Sequence, residues 1–263
     1  MRRNLRFILL LIKLKLQHMM VFRLSFFGAF FADGMLFVTQ LLAFNVIYSQ
    51  VEAIGGWGRE QMLIFIGTFS MLNGLNMLIY FFGVINIPGL IRSGGLDMYI
   101  TKPINPLFRL TFENINPGSF PLLILSGLII AYGVSVAEVV VTPTLIAAYS
   151  MLVFLMTILY YDMEVILRTL PFFFISTSAV DSLEGELLMF NFKIPGVLFK
   201  GVLKIIFYFI LPYGVMATVP TQFLTGTLSM AGLFQALGVV IAFTAFALCF
   251  WRFGLKHYKS ASS

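Results

Sequence analysis

The chain has 263 residues, of which 60% are hydrophobic and only 11% are charged, and its formal net charge is +6. A soluble domain of this length carries about 25% charged residues and must keep its surface wetted, so the composition excludes an ordinary water-soluble protein. It predicts an all-α polytopic membrane protein. The basic residues cluster beside the hydrophobic runs, which is typical of a membrane surface and argues against nucleic-acid binding.

Few residues are available for metal or covalent chemistry. Cys249 is the single cysteine, which excludes a disulfide within the chain, and His18 and His257 lie near opposite ends. The sequence contains no phosphate loop of the form GxxxxGKS or GxxxxGKT, no HExxH and no GxSxG. We therefore expect no metal site, no catalytic residue and no ATP hydrolysis by the chain itself.

Residues 1–20 form the first element in chain order. Drawn as a helix, they separate apolar side chains from a polar side that carries Arg2, Arg6, Lys13 and Gln17. We interpret this segment as an amphipathic helix in the membrane interface, with its basic face toward anionic headgroups. The alternative is a plain basic segment that continues into the first span.

Five hydrophobic runs follow, and a transmembrane helix takes about 20 apolar residues. The runs are Leu24–Tyr48, Met62–Ile87, Phe120–Val136, Thr144–Tyr161 and Ala231–Phe253.

Lysine and arginine indicate which side of the membrane each loop occupies, because cytoplasmic loops carry an excess of both. They concentrate up to Arg23, between Arg92 and Arg109, and from Arg252 to Lys259. These three regions lie on one side if the runs alternate. We therefore expect both termini and the central loop to be cytoplasmic.

Both termini share one side only if the number of crossings is even, so a sixth crossing is expected between the fourth and the last run. One candidate is Val165–Phe190, which a proline and three acids interrupt. The other is Ile205–Val219, which is more apolar and follows three lysines, so the positive-inside rule favours it. If the first candidate crosses, the second becomes a re-entrant hairpin broken at prolines. The sequence leaves both possibilities open.

Polar residues inside the first two runs are candidates for a substrate path. Asp33 and Gln40 share a helical face in the first run, and Asn73 and Asn76 share one in the second. Polar groups at membrane depth are costly and turn toward other helices or water. They either line a path or hold the helices together by hydrogen bonds. Asp33 is the strongest candidate for a functional role, because burying a carboxylate for packing alone is unfavourable.

The polar stretch Ile91–Phe108 separates the second and third runs. Gly94 and Gly95 free the backbone to turn, and Asp97 can begin a short helix because its charge is favourable at a helix N-terminus. The prolines at 103 and 106 prevent that helix from continuing. A short, partly apolar helix outside the membrane suits docking into a groove of a soluble protein. The alternative is an ordinary loop that lies on the headgroups.

This stretch resembles a known family. The pattern Arg92, Gly95, Leu96-Asp97, Lys102-Pro103 and Asn105-Pro106-Leu107-Phe108 is similar to that of the permease subunits of bacterial type-2 ATP-binding-cassette (ABC) exporters. Two weaker matches are LPYGVMATVPTQFLTG, which starts at Leu211, and the tail FWRFGLKHYKSASS. The acid-rich segment DSLEGE, at 181–186, departs from the expected apolar helix.

The resemblance implies six transmembrane helices, an interfacial N-terminal helix, a coupling helix between spans two and three, and re-entrant helices before the last span, all in one permease domain over residues 1–263. It implies a dimer of identical or related permeases seated on an ABC ATPase dimer that binds ATP and Mg²⁺. The residues that would couple to the ATPase are Arg92, Gly95, Leu96, Asp97, Tyr99, Lys102, Pro103, Asn105, Pro106 and Phe108. A secondary transporter or channel that works without ATP is the alternative function.

Overall fold

Helices account for nearly all of the regular structure. The structure, a computed structural model, describes residues 41–174 and 178–258 together with residues 13, 34–35 and 38–39, with the backbone alone at 178–181. The helices are α1 (41–48), α2 (Arg59–Ile79), α3 (Phe81–Val84), α4 (Ile87–Ser93), α5 (Asp97–Ile100), α6 (Pro106–Glu113), α7 (Phe120–Val136), α8 (Pro143–Thr169), α9 (Ser178–Lys193), α10 (Gly201–Ile205), α11 (Tyr213–Met216), α12 (Thr218–Leu224) and α13 (Met230–His257). Within these residues there is no β-strand, only an isolated bridge between Ile54 and Trp57. The predicted all-helical class is confirmed for this part of the chain.

Several helices are long and apolar enough to cross a membrane. Four qualify singly, Arg59–Ile79, Pro117–Val136, Pro143–Phe172 and Met230–His257. A fifth candidate is the pair Gly201–Ile210 and Tyr213–Leu224, which is bent by 83°. A multi-pass membrane protein is therefore confirmed, with four or five candidate spans among the described residues where six crossings are predicted. Of the predicted run from 24 to 48 only part is described, and residues 1–20 apart from Lys13 lie outside the described residues.

Helix α2 lies at the centre of the bundle. Within its apolar stretch 56% of the residues are buried inside the protein, against 22% for the last helix, α13, which mainly faces outward. Helix α7 packs closely on α2 because small residues allow it: a Cβ on Gly67 would lie 2.7 Å from Ile130 Cγ1, and one on Gly133 would lie 2.9 Å from Ile64 Cγ1. Close approach at small residues is the usual basis of helix association in membranes, where the hydrophobic effect between helices is absent.

Helix α8 is longer than its apolar run predicts. The predicted run ends at Tyr161, whereas the helix continues to Thr169 and carries three buried charged residues in its last turns, Asp162, Glu164 and Arg168. The prediction was wrong because hydropathy alone treats charges as the end of a span. Here the charges continue the helix because other helices supply their partners.

Neither candidate for the sixth crossing is one straight helix. Val165–Phe190 is divided, since α8 ends at Thr169 and α9 begins at Ser178. Ile205–Val219 is broken at Pro212, where the five-residue π-helical turn Ile206–Ile210 that extends α10 gives way to α11 and α12. Side chains of α9 contact α8 through Glu184 and Arg168 and α2 through Phe192 and Phe69.

The bent pair begins at the end of the molecule opposite the central loop. A Cβ on Gly55, in the loop between α1 and α2, would meet the side chain of Leu198, just before α10. The central loop lies at the other end of α2. The bent pair therefore begins at the Gly55 end and changes direction by 83° near Pro212, a geometry that suits either a broken span or a re-entrant loop.

Candidate functional site

The central loop turns sharply after α4. Gly94 follows the last residue of α4 with a φ of 73°, a left-handed conformation that glycine adopts without strain. Asp97 is the first residue of the short helix α5, where its charge is favourable. The turn and the helix that the sequence predicts at this place are both present.

The inward side of α5 holds the loop on the bundle. Leu96 is fully buried in a cluster with Tyr80, Val84 and Ile87, which lie between the end of α2 and the start of α4. Tyr99 is half-buried, and the Arg109 guanidinium carbon lies 4.5 Å from the centre of its ring. These contacts make the loop a continuation of the membrane domain rather than a separate mobile segment.

The pKa values of two tyrosines, Tyr99 and Tyr258, reflect the charges around the loop. Burial, followed by the charge of Glu113, raises the pKa of Tyr99 above its usual value, and Arg109 opposes this shift. Burial also raises the pKa of Tyr258, and the Asp97 carboxylate beside it raises it further. Because Tyr258 follows the last residue of α13, Asp97 connects the loop to the end of the final helix.

Two apolar side chains of α5 are accessible. Met98 is 68% exposed and Ile100 is 42% exposed, and Thr101, Lys102 and Pro103 after them are exposed as well. Large apolar side chains exposed together on a rigid loop are typical of interaction sites. The residues that a partner can reach on α5 are therefore Met98 and Ile100, whereas Leu96, predicted as a coupling residue, faces the core of the protein itself.

The remaining predicted coupling residues have structural partners. Asn105 caps α6 by accepting a hydrogen bond from the Phe108 backbone N–H at 3.2 Å. Pro106 is the first residue of α6, so this proline begins a new helix in addition to separating α6 from α5. Arg92 is exposed and donates from Nε to the Pro88 carbonyl at 3.2 Å. Gly95 packs on α4. Phe108 and Asn105 line an apolar cavity of about 400 Å³ between α6 and α8.

A buried charged cluster joins α8 and α9. Nη2 of Arg168 lies 2.8 Å from Oε2 of Glu184 and 3.3 Å from Oε2 of Glu164. Glu164, Arg168 and Glu184 are 1%, 4% and 4% exposed. Ionised groups buried this deeply are costly, so they mark functional sites by default at membrane depth.

The cluster forms one wall of a cavity of about 450 Å³ between α2, α4, α8 and α9. Asn73 and Asn76 line the same cavity, so the structure brings two of the predicted path residues together with the charges. Asn76 is fully buried and pairs with the Tyr160 hydroxyl. Arg92, a predicted coupling residue, also lines this cavity. Asp33 and Gln40 lie outside the described residues.

Sequence reasoning missed Glu164, Arg168 and Glu184. Glu164 and Arg168 are spaced four apart, the helical spacing of an ion pair, and this spacing was the available signal that the helix continues past Tyr161. Glu184 belongs to the acid-rich segment that departs from the family pattern, and it is buried because α9 pairs it with Arg168. A single sequence does not show that pairing between two helices.

A second buried carboxyl group lies between α8 and α13. The Thr244 hydroxyl donates to Oδ2 of Asp162 at 2.5 Å, and Asp162 is almost fully buried. This contact fixes the last helix against α8 outside the cavity.

Comparison with known families gives a clear match. The model of the family described as ABC-2 family transporter protein matches residues 35–262. The chain belongs to the ABC-2 transporter family. No curated protein and no solved structure matches it. The ABC-2 assignment makes the chain a multi-pass membrane component of a transporter, a permease that is not itself a catalytic ATPase, and it implies association with an ABC ATPase.

Proposed function

We propose that this ABC-2 permease is the membrane subunit of an ATP-driven exporter, and that α5 is the helix through which a separate ATPase drives it. The single observation that carries the proposal is that Met98 and Ile100 of α5 are exposed, while Leu96, directly before the helix, is buried in the core. A docking site that transmits force needs both an accessible apolar surface and a rigid connection to the moving helices. ATP and Mg²⁺ are bound by the ATPase, and this chain holds no cofactor.

The second part of the proposal is a second permease chain, identical or related. On α9 the side chains of Ser182, Glu186, Met189 and Lys193 are spaced four, three and four residues apart, so they share one helical face, and all four are exposed. Charged groups at membrane depth face protein or water rather than lipid. We infer that this face of α9 meets the partner permease or the water-filled path between the two chains, with α9 as the crossing between α8 and the bent pair.

The proposed topology follows from these placements. With α9 counted as a crossing and the bent pair as re-entrant, the run from 24 to 48 and the four long helices bring the total to six. The central loop and the C-terminal end of α13 then share the cytoplasmic side, as the lysine and arginine distribution favours. Substrate moves outward through the path lined by α9 and the charged cavity.

The experiment reconstitutes the permease with its ATPase and compares Met98→Glu and Ile100→Glu with wild type. Fully burying a methionine or isoleucine side chain contributes about 1.5–3 kcal/mol, and these two are already partly covered, so each charge should weaken ATPase binding about tenfold or more. Transport should fall in proportion while membrane insertion is unchanged. The matched control is Val140→Glu, at a residue that is 81% exposed in the loop at the opposite end of the bundle.

Unchanged ATPase affinity in both loop variants would refute the docking assignment. Transport by the permease alone, in liposomes without any ATPase, would support a secondary transporter instead.

A further inference from the structure

The apolar cavity between α6 and α8 also reaches α13, through Leu248. Its volume of about 400 Å³ lies within the range of small-molecule sites. Its lining on α8 runs from Phe154 to Tyr161, so the cavity extends about 10 Å along that helix. The adjacent residue Tyr160 lines the charged cavity instead. The two cavities therefore lie on different faces of α8.

The polar side chains around this cavity find their hydrogen-bond partners within the protein. The Tyr80 hydroxyl donates to the Thr157 carbonyl at 3.3 Å, and the Thr157 hydroxyl donates to the Val153 carbonyl at 2.8 Å. The hydroxyl oxygens of Thr111 and Tyr161 are 2.7 Å apart. Among the described residues no charged side chain lines the cavity. A ligand that fills it therefore gains from burying apolar surface and needs no polar group inside the cavity.

Helix α6 covers the cavity with its apolar face. Four of its residues line the cavity, and their spacing places them on one face: Leu107, Phe108, Thr111 and Phe112. Arg109 and Glu113 lie on the other face, where Nε of the arginine is 3.3 Å from Oε2 of the glutamate. A helix with one apolar and one charged face lies in the membrane interface, with the apolar face toward the acyl chains. The cavity is therefore at the level where lipid chains begin.

Two of the side chains that line the cavity also face outward from the bundle. Phe154 is 58% exposed on α8, and Leu248 is 43% exposed on α13. Both helices are long and apolar enough to cross a membrane, so apolar side chains exposed on them face lipid. The cavity is thus continuous with a surface that lipid covers, and lipid is the occupant with direct access to it. Asn105, which also lines the cavity, is exposed beside the central loop, on the side where a headgroup would lie.

We propose that this cavity binds one acyl chain of a phospholipid from the leaflet on the side of the central loop. The chain enters between α8 and α13 and packs beneath the apolar face of α6, and the headgroup stays outside. Because the cavity wall carries no charge among the described residues, the headgroup does not decide binding. The bound chain supports α6, whose Arg109 packs on the ring of Tyr99 in α5. The site goes beyond the proposed function and is independent of the ATPase.

The test uses a phosphatidylcholine with a photoreactive diazirine midway along one acyl chain, mixed into liposomes that contain the full chain. After irradiation, adducts are located by mass spectrometry of peptides, and they should be enriched on residues 106–113 and 154–161 over the outward face of α13. Leu248→Trp should lower this cavity adduct about tenfold, because a close-packed indole leaves no room for the chain. The matched control is Ile241→Trp, two turns earlier on the same face of α13 and 70% exposed, which should leave the cavity adduct unchanged.

A second blocking variant and a second lipid complete the test. Ile158→Trp fills the cavity from α8 and should act like Leu248→Trp. A phosphatidylglycerol with the same diazirine chain should label the cavity equally, since an anionic headgroup is favoured only where lysine or arginine meets it.

Adducts spread evenly over the exposed apolar surface, a cavity adduct that survives both tryptophan variants, or unequal labelling by the two lipids would overturn the inference. A cavity filled by the N-terminal residues of the chain or by a second copy would give no lipid adduct on residues 106–113, with the same consequence. No ATPase is present in this assay. Failure here therefore leaves docking at Met98 and Ile100 intact, and failure of that docking leaves the lipid labelling intact.

Discussion

Replacing Arg168 by methionine tests whether the buried charges form one unit. The guanidinium contacts Glu164 on its own helix and Glu184 on α9, at 3.3 and 2.8 Å. Methionine retains an unbranched apolar stem like that of arginine, so Arg168→Met removes the charge and keeps the packing of that stem. It leaves Glu164 and Glu184 together in a buried site without the cation that bridges them.

Removing one member of a buried ion pair costs about 3–5 kcal/mol, because the remaining charge is left uncompensated. We expect a loss of this size in the free energy of unfolding. Neutralising all three residues together, in Glu164→Gln, Arg168→Met, Glu184→Gln, should restore at least half of it, since replacing a whole buried ionic group is often close to neutral. Such a recovery would show that the destabilisation comes from carboxylates that have lost their bridging cation and not from lost packing.

The free energies of unfolding are measured by titrating the purified protein with SDS in mixed micelles and following helicity. Glu186→Gln on the exposed face of α9 serves as the stability control, because it removes a carboxylate outside the cluster. A loss below about 1 kcal/mol for Arg168→Met, or a triple variant as unstable as the single one, would refute the reasoning that the cluster acts as one unit.

Three further predictions concern contacts that hold the loop and the last helix. Gly83→Ala places a Cβ against the Leu110 carbonyl oxygen and should cost about 1–3 kcal/mol in the same assay, while Gly238→Ala, whose Cβ would meet no atom of a described residue, should cost nothing. Thr244→Val removes the donor to Asp162 and should cost about 1–3 kcal/mol; full stability would show that this contact is dispensable. Raised phenol pKa values of Tyr99 and Tyr258 mean that their stabilising contribution is complete below pH of about 10 and is lost as pH rises further, since the unfolded phenols ionise first. The tyrosinate absorbance is titrated with pH in wild type and in Tyr258→Phe, and the difference between the two curves gives the ionisation of Tyr258. The midpoint of this difference curve should lie above the pKa of a free phenol, and a midpoint at or below the free value would contradict the Asp97 contact.

The parts of the fold that hydropathy governs were predictable from the sequence. Run Phe120–Val136 coincides with α7 because its ends are marked by polar residues and nothing inside it is charged. The turn at Gly94 and the start of α5 at Asp97 were also predictable, since glycine and aspartate act on the local backbone. Local chemistry was enough to predict the turn and the short helix of the central loop.

The parts that depend on pairing between distant segments were not predictable. The C-terminal end of α8 and the whole of α9 carry charges that hydropathy treats as loop, and the contact between Arg168 and Glu184, 16 residues apart, buries one charge of each helix. The orientation of α5 has the same limitation. Leu96 and Met98 are both apolar in the sequence, and the packing of Tyr80 and Ile87 around Leu96 decides that Met98 faces outward.

Photo-cross-linking from position 98 tests the docking of α5 most directly. A photoreactive amino acid replaces Met98 in the full chain, assembled with its ATPase in the membrane, and the same amino acid at Val140 gives the matched control at the opposite end of the bundle. We expect an adduct with the ATPase subunit from position 98 and none from position 140. An ATPase adduct from position 140, or a functioning complex with no adduct from position 98, would contradict the assignment of α5 as the coupling helix.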